Sequence, residues 1–198
     1  MSVLGNMIRR RVAIASMIAC SCWGFVAGAA DLYWDANGGT AGAGGTGSWN
    51  LSNATWRLGS DEGSLQSWPG SASDVAFFGG SAGTVTISAA GVQAGGLNFS
   101  TTGYTIAASG GNGLTLVGSA AVTTDSGVSA TMNSSLGGTA GLTKSGSCSL
   151  TVAAGSAVYS GTTTVSAGTL QVNYAGGSAP AANSTAAAIA SGATLTYF

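Results

Sequence analysis

The chain has 198 residues, enough for one domain, and carries only 11 charged side chains, a net charge of −1 and no histidine. Its 34 glycines are more than twice the usual share of about 7%, yet 45% of residues are hydrophobic. Disorder needs low hydrophobicity and high net charge, so composition excludes it and favours a strand-rich chain with many turns.

Arg9, Arg10 and Arg11 precede an uncharged, mostly apolar run from Val12 to Phe25, followed by Val26, Ala27, Gly28, Ala29 and Ala30. A basic start, an apolar middle and small residues at the end predict a helical, cleaved signal peptide over residues 1–30. Removing it leaves Arg57 and Lys144 against six acidic residues, which is 2 − 6, or −4. Two cations cannot neutralise a phosphate backbone, so nucleic acid is excluded as a partner. Cys148 is then the remaining cysteine, and no intramolecular disulfide is expected.

Residues 31–80 hold Trp34, Trp49, Trp56 and Trp68 together with five of the six acidic residues. This segment is expected to start and cap the fold. Within it, Gly42-Ala43-Gly44-Gly45-Thr46-Gly47 satisfies a dinucleotide-loop spacing but lacks the flanking strand and helix, and reads as a loop. Asp35-Ala36-Asn37-Gly38 lacks the later ligands of a calcium loop and reads as solvated turn residues. Asp61-Glu62 is the one adjacent carboxylate pair, on a loop flanked by Gly and Ser. Trp34, Trp49 and Trp56 have two readings: a buried cap, or a stacking surface for glycan.

From residue 81 to 198 a short unit recurs: Thr84-Val85-Thr86-Ile87, Leu97-Asn98-Phe99, Tyr104-Thr105-Ile106, Leu114-Thr115-Leu116, Ala121-Val122-Thr123 and Ser129-Ala130-Thr131-Met132. It continues through Leu142-Thr143, Leu150-Thr151-Val152, Thr163-Thr164-Val165, Leu170-Gln171-Val172 and Leu195-Thr196. Apolar and hydroxyl residues alternate with the period of a half-buried strand. Three such units make a coil of roughly 25 residues, within the range of repeat architectures. The prediction is an all-β chain forming a right-handed parallel β-helix or solenoid of short strands. A two-sheet sandwich uses similar strands and stays as the alternative. The Ala-rich stretch 179–190 is read as a loop because it contains Pro180, Asn183 and Ser184.

The stretch Gly141-Leu142-Thr143-Lys144-Ser145-Gly146-Ser147-Cys148-Ser149-Leu150-Thr151-Val152, continued by Tyr159-Ser160-Gly161 and Thr163-Thr164-Val165-Ser166-Ala167-Gly168-Thr169-Leu170, resembles the autotransporter-associated β-strand repeat, also called the passenger-associated transport repeat. The resemblance is sharpest over 141–172. Cys148 stands where that repeat usually has Gly, and the Asn often found before the Tyr is missing around Ser156–Val158. The resemblance implies a secreted or cell-surface bacterial passenger module that supports folding and export, with the export machinery and outer membrane as partners during secretion. The alternative it leaves open is an adhesin-like module binding glycan or extracellular matrix. A polysaccharide-acting enzyme is the third reading. No catalytic set, cofactor or metal site is expected. The membrane barrel of classical autotransporters finds no room in this length, and Ala193–Phe198 is expected to begin another coil whose open edge invites self-association.

Overall fold

The computed structural model describes residues 28–39, 43–71, 73–153, 156–173 and 184–198. The predicted signal peptide therefore lies outside the described residues except for Gly28, Ala29 and Ala30. Every regular element among the described residues is a strand. The first five are Asp31–Trp34 (β1), Gly47–Trp49 (β2), Ala54–Leu58 (β3), Leu65–Ser67 (β4) and Val75–Phe78 (β5). Next come Thr84–Ile87 (β6), Val92–Phe99 (β7), Tyr104–Ala108 (β8), Gly113–Thr124 (β9), Ala130–Met132 (β10) and Ser135–Gly137 (β11). The last are Leu142–Ser145 (β12), Ser149–Val152 (β13), Gly161–Val165 (β14), Thr169–Val172 (β15), Ser184–Ile189 (β16) and Thr194–Tyr197 (β17).

Pairing turns these strands into a parallel solenoid. One sheet runs β16-β14-β12-β9-β7-β5-β1-β3-β4, and the other runs β17-β15-β13-β10-β8-β6-β2. All pairs are parallel except β1–β3 and β3–β4. A hairpin sandwich is thereby ruled out, because hairpins make antiparallel neighbours. Each coil contributes one strand to each sheet. A third, shorter face forms where Val92–Ala94 pairs with Leu114–Leu116, β11 pairs with β9, and Leu136 bridges Ala157. The step from one coil to the next is 25 residues from Leu97 to Val122 and 21 from Lys144 to Val165, as the repeat length predicted.

Two predicted units, Leu114–Leu116 and Ala121–Thr123, are the two halves of β9. The strand bends between faces at Gly118 (φ 61°) and Ala120 (φ 48°), and its neighbour β7 shifts register between Ala94 and Gly96. A left-handed residue there turns the corner without ending the ladder. Compositional division at residue 80 does not coincide with a break in pairing: β1 pairs with β5 and β2 with β6, so the first coil belongs to the aromatic-rich segment. Residues 184–189 are a correction to the loop expected over the Ala-rich stretch. They form β16, because the in-register template of β14 outweighs alanine's weak strand preference.

Inward side chains form continuous columns. In the seven-stranded sheet, register aligns Val85, Ile106, Met132, Val152 and Val172. In the larger sheet it aligns Leu32, Ala76, Leu97, Val122, Lys144 and Val165. All these are buried. Each buried Leu, Val or Ile contributes about 1.5–3 kcal/mol relative to exposure. Because a coil is only one strand deep, a column residue touches its equivalents above and below, and loss of one is felt by two neighbours.

Turns between coils are tight enough to demand glycine at particular points. Gly146 has φ 77°, and a Cβ there would fall on the Thr124 carbonyl oxygen of the coil before it. Gly146→Ala combines left-handed backbone strain of about 1–2 kcal/mol with that clash. The expected outcome is a thermal midpoint several degrees lower in circular dichroism, whereas Gly111→Ala, at φ 76° with open space around it, loses only the backbone part.

Candidate ligand-facing surfaces and buried polar sites

At the N-terminal end the chain inserts β3 and β4 as an antiparallel extension on the edge of β1. Strand alternation sends Trp34, Trp49 and Trp56 inward, and Trp68 joins them after β4. Their rings meet edge to face or tilted, with centroids 4.6–5.1 Å apart. Trp34 Nε1 donates to the Gly45 carbonyl at 2.8 Å, and Trp68 Nε1 donates to that of Gln93 at 2.9 Å. Trp34, Trp49 and Trp56 are 0% exposed, so no sugar ring reaches them. The glycan-platform expectation for these three is corrected: they bury the large apolar area that closes the end of the core.

Tyr33, one residue before Trp34, faces the other way. It stacks on Phe77 of the adjacent strand, with centroids 4.7 Å apart and planes 14° from parallel. Arg57 lies opposite Tyr33 in register but turns its guanidinium to Asp35, with Nε donating to Oδ2 at 2.5 Å and Nη1 donating to the Gly63 carbonyl at 3.0 Å. Asp35 Oδ1 accepts from the backbone N–H groups of Asn37 and Gly38. Asp35 is therefore fully buried, correcting the reading as a solvated turn residue, and both its oxygens are engaged within the protein. Gly44 bridges both Asp35 and Ser81, and Gly47 opens β2, so the predicted Gly-rich loop is partly solenoid backbone. Gly42 lies outside the described residues.

Asp61 and Glu62 sit on the exposed turn between β3 and β4. Among the described residues no three of His, Cys, Asp and Glu gather closely enough to hold a metal. Cys148 lies in the turn between β12 and β13, not in a strand, and its Sγ accepts the Gly127 N–H at 2.9 Å.

Lys144 is the buried group that sequence reasoning missed. It occupies an inward column position between Val122 and Val165. Its ammonium bends back to the turn carbonyls, donating to Ser145 at 2.5 Å and Gly146 at 2.9 Å, and more weakly to Ala167 of the next coil at 3.5 Å. The lysine thus ties consecutive turns together. Burial pulls its pKa down to about 8 from 10.5, against a smaller upward pull from Cys148. The legible signal was position: a lysine at an inward phase of the alternation requires a buried partner.

The outer face of the seven-stranded sheet is built differently from its inner face. Register aligns Thr84, Thr105, Thr131, Thr151, Gln171 and Thr196 across six coils. A second row aligns Ser149, Thr169 and Thr194, with the Ser129 and Ser149 hydroxyls hydrogen-bonded at 2.7 Å. No strand of this sheet contains a charged residue.

Two consequences are measurable. Trp56→Ala opens a hole at the centre of the cluster and is expected to cost about 3–5 kcal/mol, read as a lower urea midpoint. Lys144 binds its proton less tightly folded than unfolded, so the unfolded chain holds more protons between pH 8 and 10.5 and stability rises across that window. Urea unfolding at stepped pH should show this rise, and Lys144→Met should flatten it.

Comparison with known proteins agrees with this geometry. Residues 142–172 match the family model described as passenger-associated-transport-repeat, a span that begins with β12 and ends with β15. A stretch of 160 residues, 79% of this chain, is 44% identical to the Adhesin BmaC autotransporter of Brucella suis biovar 1 (strain 1330). The aligned region is 4% of that relative, so the chain spans a small part of its length. No solved structure matches. With β12–β15 forming the matched unit and Lys144 joining its turns, residues 142–172 are a passenger-associated transport repeat, set in a chain that is similar to a short stretch of an autotransporter adhesin.

Proposed function

We propose that this chain is a surface-exposed passenger segment of an exported bacterial protein, acting through its folded coils and not through catalysis. The observation that carries this reading is the in-register parallel stacking of coils through the repeat at 142–172. Each coil offers the next a ready strand edge on both sheets, so folding advances by short-range steps as chain emerges from a membrane. Stacking of this kind supports export, because every added coil is stabilised as soon as it pairs. Adhesion is the second reading, favoured by the similarity to a relative named as an adhesin.

Shaving intact producing cells with protease tests the reading. The chain should be digested on whole cells while a periplasmic marker survives, and its mature N-terminus should begin near Asp31. Gly146→Ala should lower the surface-exposed amount without lowering total synthesis, since it weakens stacking at the matched repeat. An intact chain held in the cytoplasm, with residues 1–30 uncleaved, would overturn the proposal.

A further inference from the structure

We infer that the outer face of the seven-stranded sheet, along Thr84, Thr105, Thr131, Thr151, Gln171 and Thr196, is a binding surface for an uncharged polysaccharide laid along the solenoid axis. The inference deepens the reading of the chain as a surface module and rests on it.

Four observations converge on this partner. First, the row is continuous: six coils place a hydroxyl or amide side chain at one register position, each on a strand adjacent to the last. Parallel strands are about 4.8 Å apart, so the row repeats at that interval. The second row, Ser149, Thr169 and Thr194, stands two residues along each strand, about 6.6 Å away. A rigid lattice of this kind complements a ligand that itself repeats.

Second, the face carries no charge. The strands contributing to it are Gly47–Trp49, Thr84–Ile87, Tyr104–Ala108, Ala130–Met132, Ser149–Val152, Thr169–Val172 and Thr194–Tyr197, without one ionisable acid or base other than the tyrosines at 104 and 197. Tyr104 is buried, and Tyr197 is in register with inward Val172. Elsewhere the chain keeps charges in the other sheet (Asp31, Arg57) or in turns (Asp61, Glu62, Asp125). Anionic glycans, phospholipid headgroups and nucleic acid find nothing to pair with here.

Third, every group in the row both donates and accepts. Threonine and serine hydroxyls and the glutamine amide match sugar hydroxyls in either sense. The protein's own bonds show the chemistry across coils: Thr151 Oγ1 donates to Gln171 Oε1 at 3.1 Å, and Ser129 bonds Ser149. Fourth, the residues are ordered before any ligand arrives. Threonine has few side-chain rotamers to lose, and the sheet holds its backbone.

A single hydroxyl contact contributes little in water, about 0.5–1.5 kcal/mol. Affinity therefore accumulates only over a ligand that spans several coils, and binding depends on chain length.

The test uses the purified chain and soluble neutral polysaccharide, with dextran and a β-glucan as probes, in affinity electrophoresis and calorimetry. Expected is retention by at least one long neutral chain, loss of retention with its di- and trisaccharides, and little change between low and high salt. Thr105→Val/Thr131→Val keeps shape and strand preference while removing two hydroxyls, and should weaken retention about tenfold. Thr105→Ser/Thr131→Ser keeps the hydroxyls and should retain binding. Circular dichroism checks that both variants are folded. Failure to bind either neutral polymer, binding that survives the valine pair, or binding only to anionic polymer that vanishes with salt would each overturn the inference. Because the purified chain is used, these failures are separate from failure of surface display, which cell shaving reads.

Discussion

The whole molecule depends on one constraint: residues at equivalent positions of successive coils must meet side chain to side chain. Parallel register imposes it. Val85, Ile106, Met132, Val152 and Val172 are one column, and each is packed by the residue a coil before and a coil after. Backbone hydrogen bonds between coils keep the columns aligned, and the columns in turn exclude water from those bonds. With few charged side chains and no disulfide among the described residues, this reciprocal arrangement carries the stability.

Departures from the simple column are where the fold handles its special problems. An end of a solenoid exposes both apolar core and unpaired backbone. At the N-terminal end the strands β3 and β4 extend the larger sheet antiparallel, and four tryptophans fill the space beneath. Trp49 and Trp56 leave their indole N–H groups without partners, so packing there outweighs hydrogen bonding. Lys144 answers a different problem. Its aliphatic stem occupies a column site while its ammonium satisfies turn carbonyls of two coils, a combination no apolar residue supplies. The depressed pKa is the sign of what that burial costs the charged form.

The division between inner and outer faces then gives the surface its character. Strand alternation that buries Val and Leu necessarily exposes the residue between them, and in the seven-stranded sheet that residue is nearly always Thr or Ser. In the larger sheet the outward row is varied: Tyr33 and Phe77 stack, followed by Asn98, Thr123 and Ser145. Two faces of one solenoid thus differ in chemistry although the same backbone geometry generates both. Tyr33 and Trp34, adjacent in sequence, end in opposite environments for the same reason: Trp34 is buried in the core, and Tyr33 is half-buried on the outer face against Phe77.

Much of this was legible in the sequence. The alternation of Val or Leu with Thr specified short half-buried strands, their spacing specified the coil, and Gly141–Val172 specified the repeat family, because these are local properties of the chain. Other features needed the third dimension. The parallel pairing of β1 with β5 joins segments 44 residues apart, across an inserted pair of strands that composition did not separate from them. β16 carries alanines with little preference of their own and takes its form from β14. Asp35 meets Arg57 from 22 residues away, and Lys144 reaches Ala167 from 23. Sequence by itself determined the period and the inward or outward phase of each strand, since alternation is written residue by residue. Tertiary structure alone decided which strands are neighbours and which partners the buried polar groups meet, since those depend on the stacking of coils.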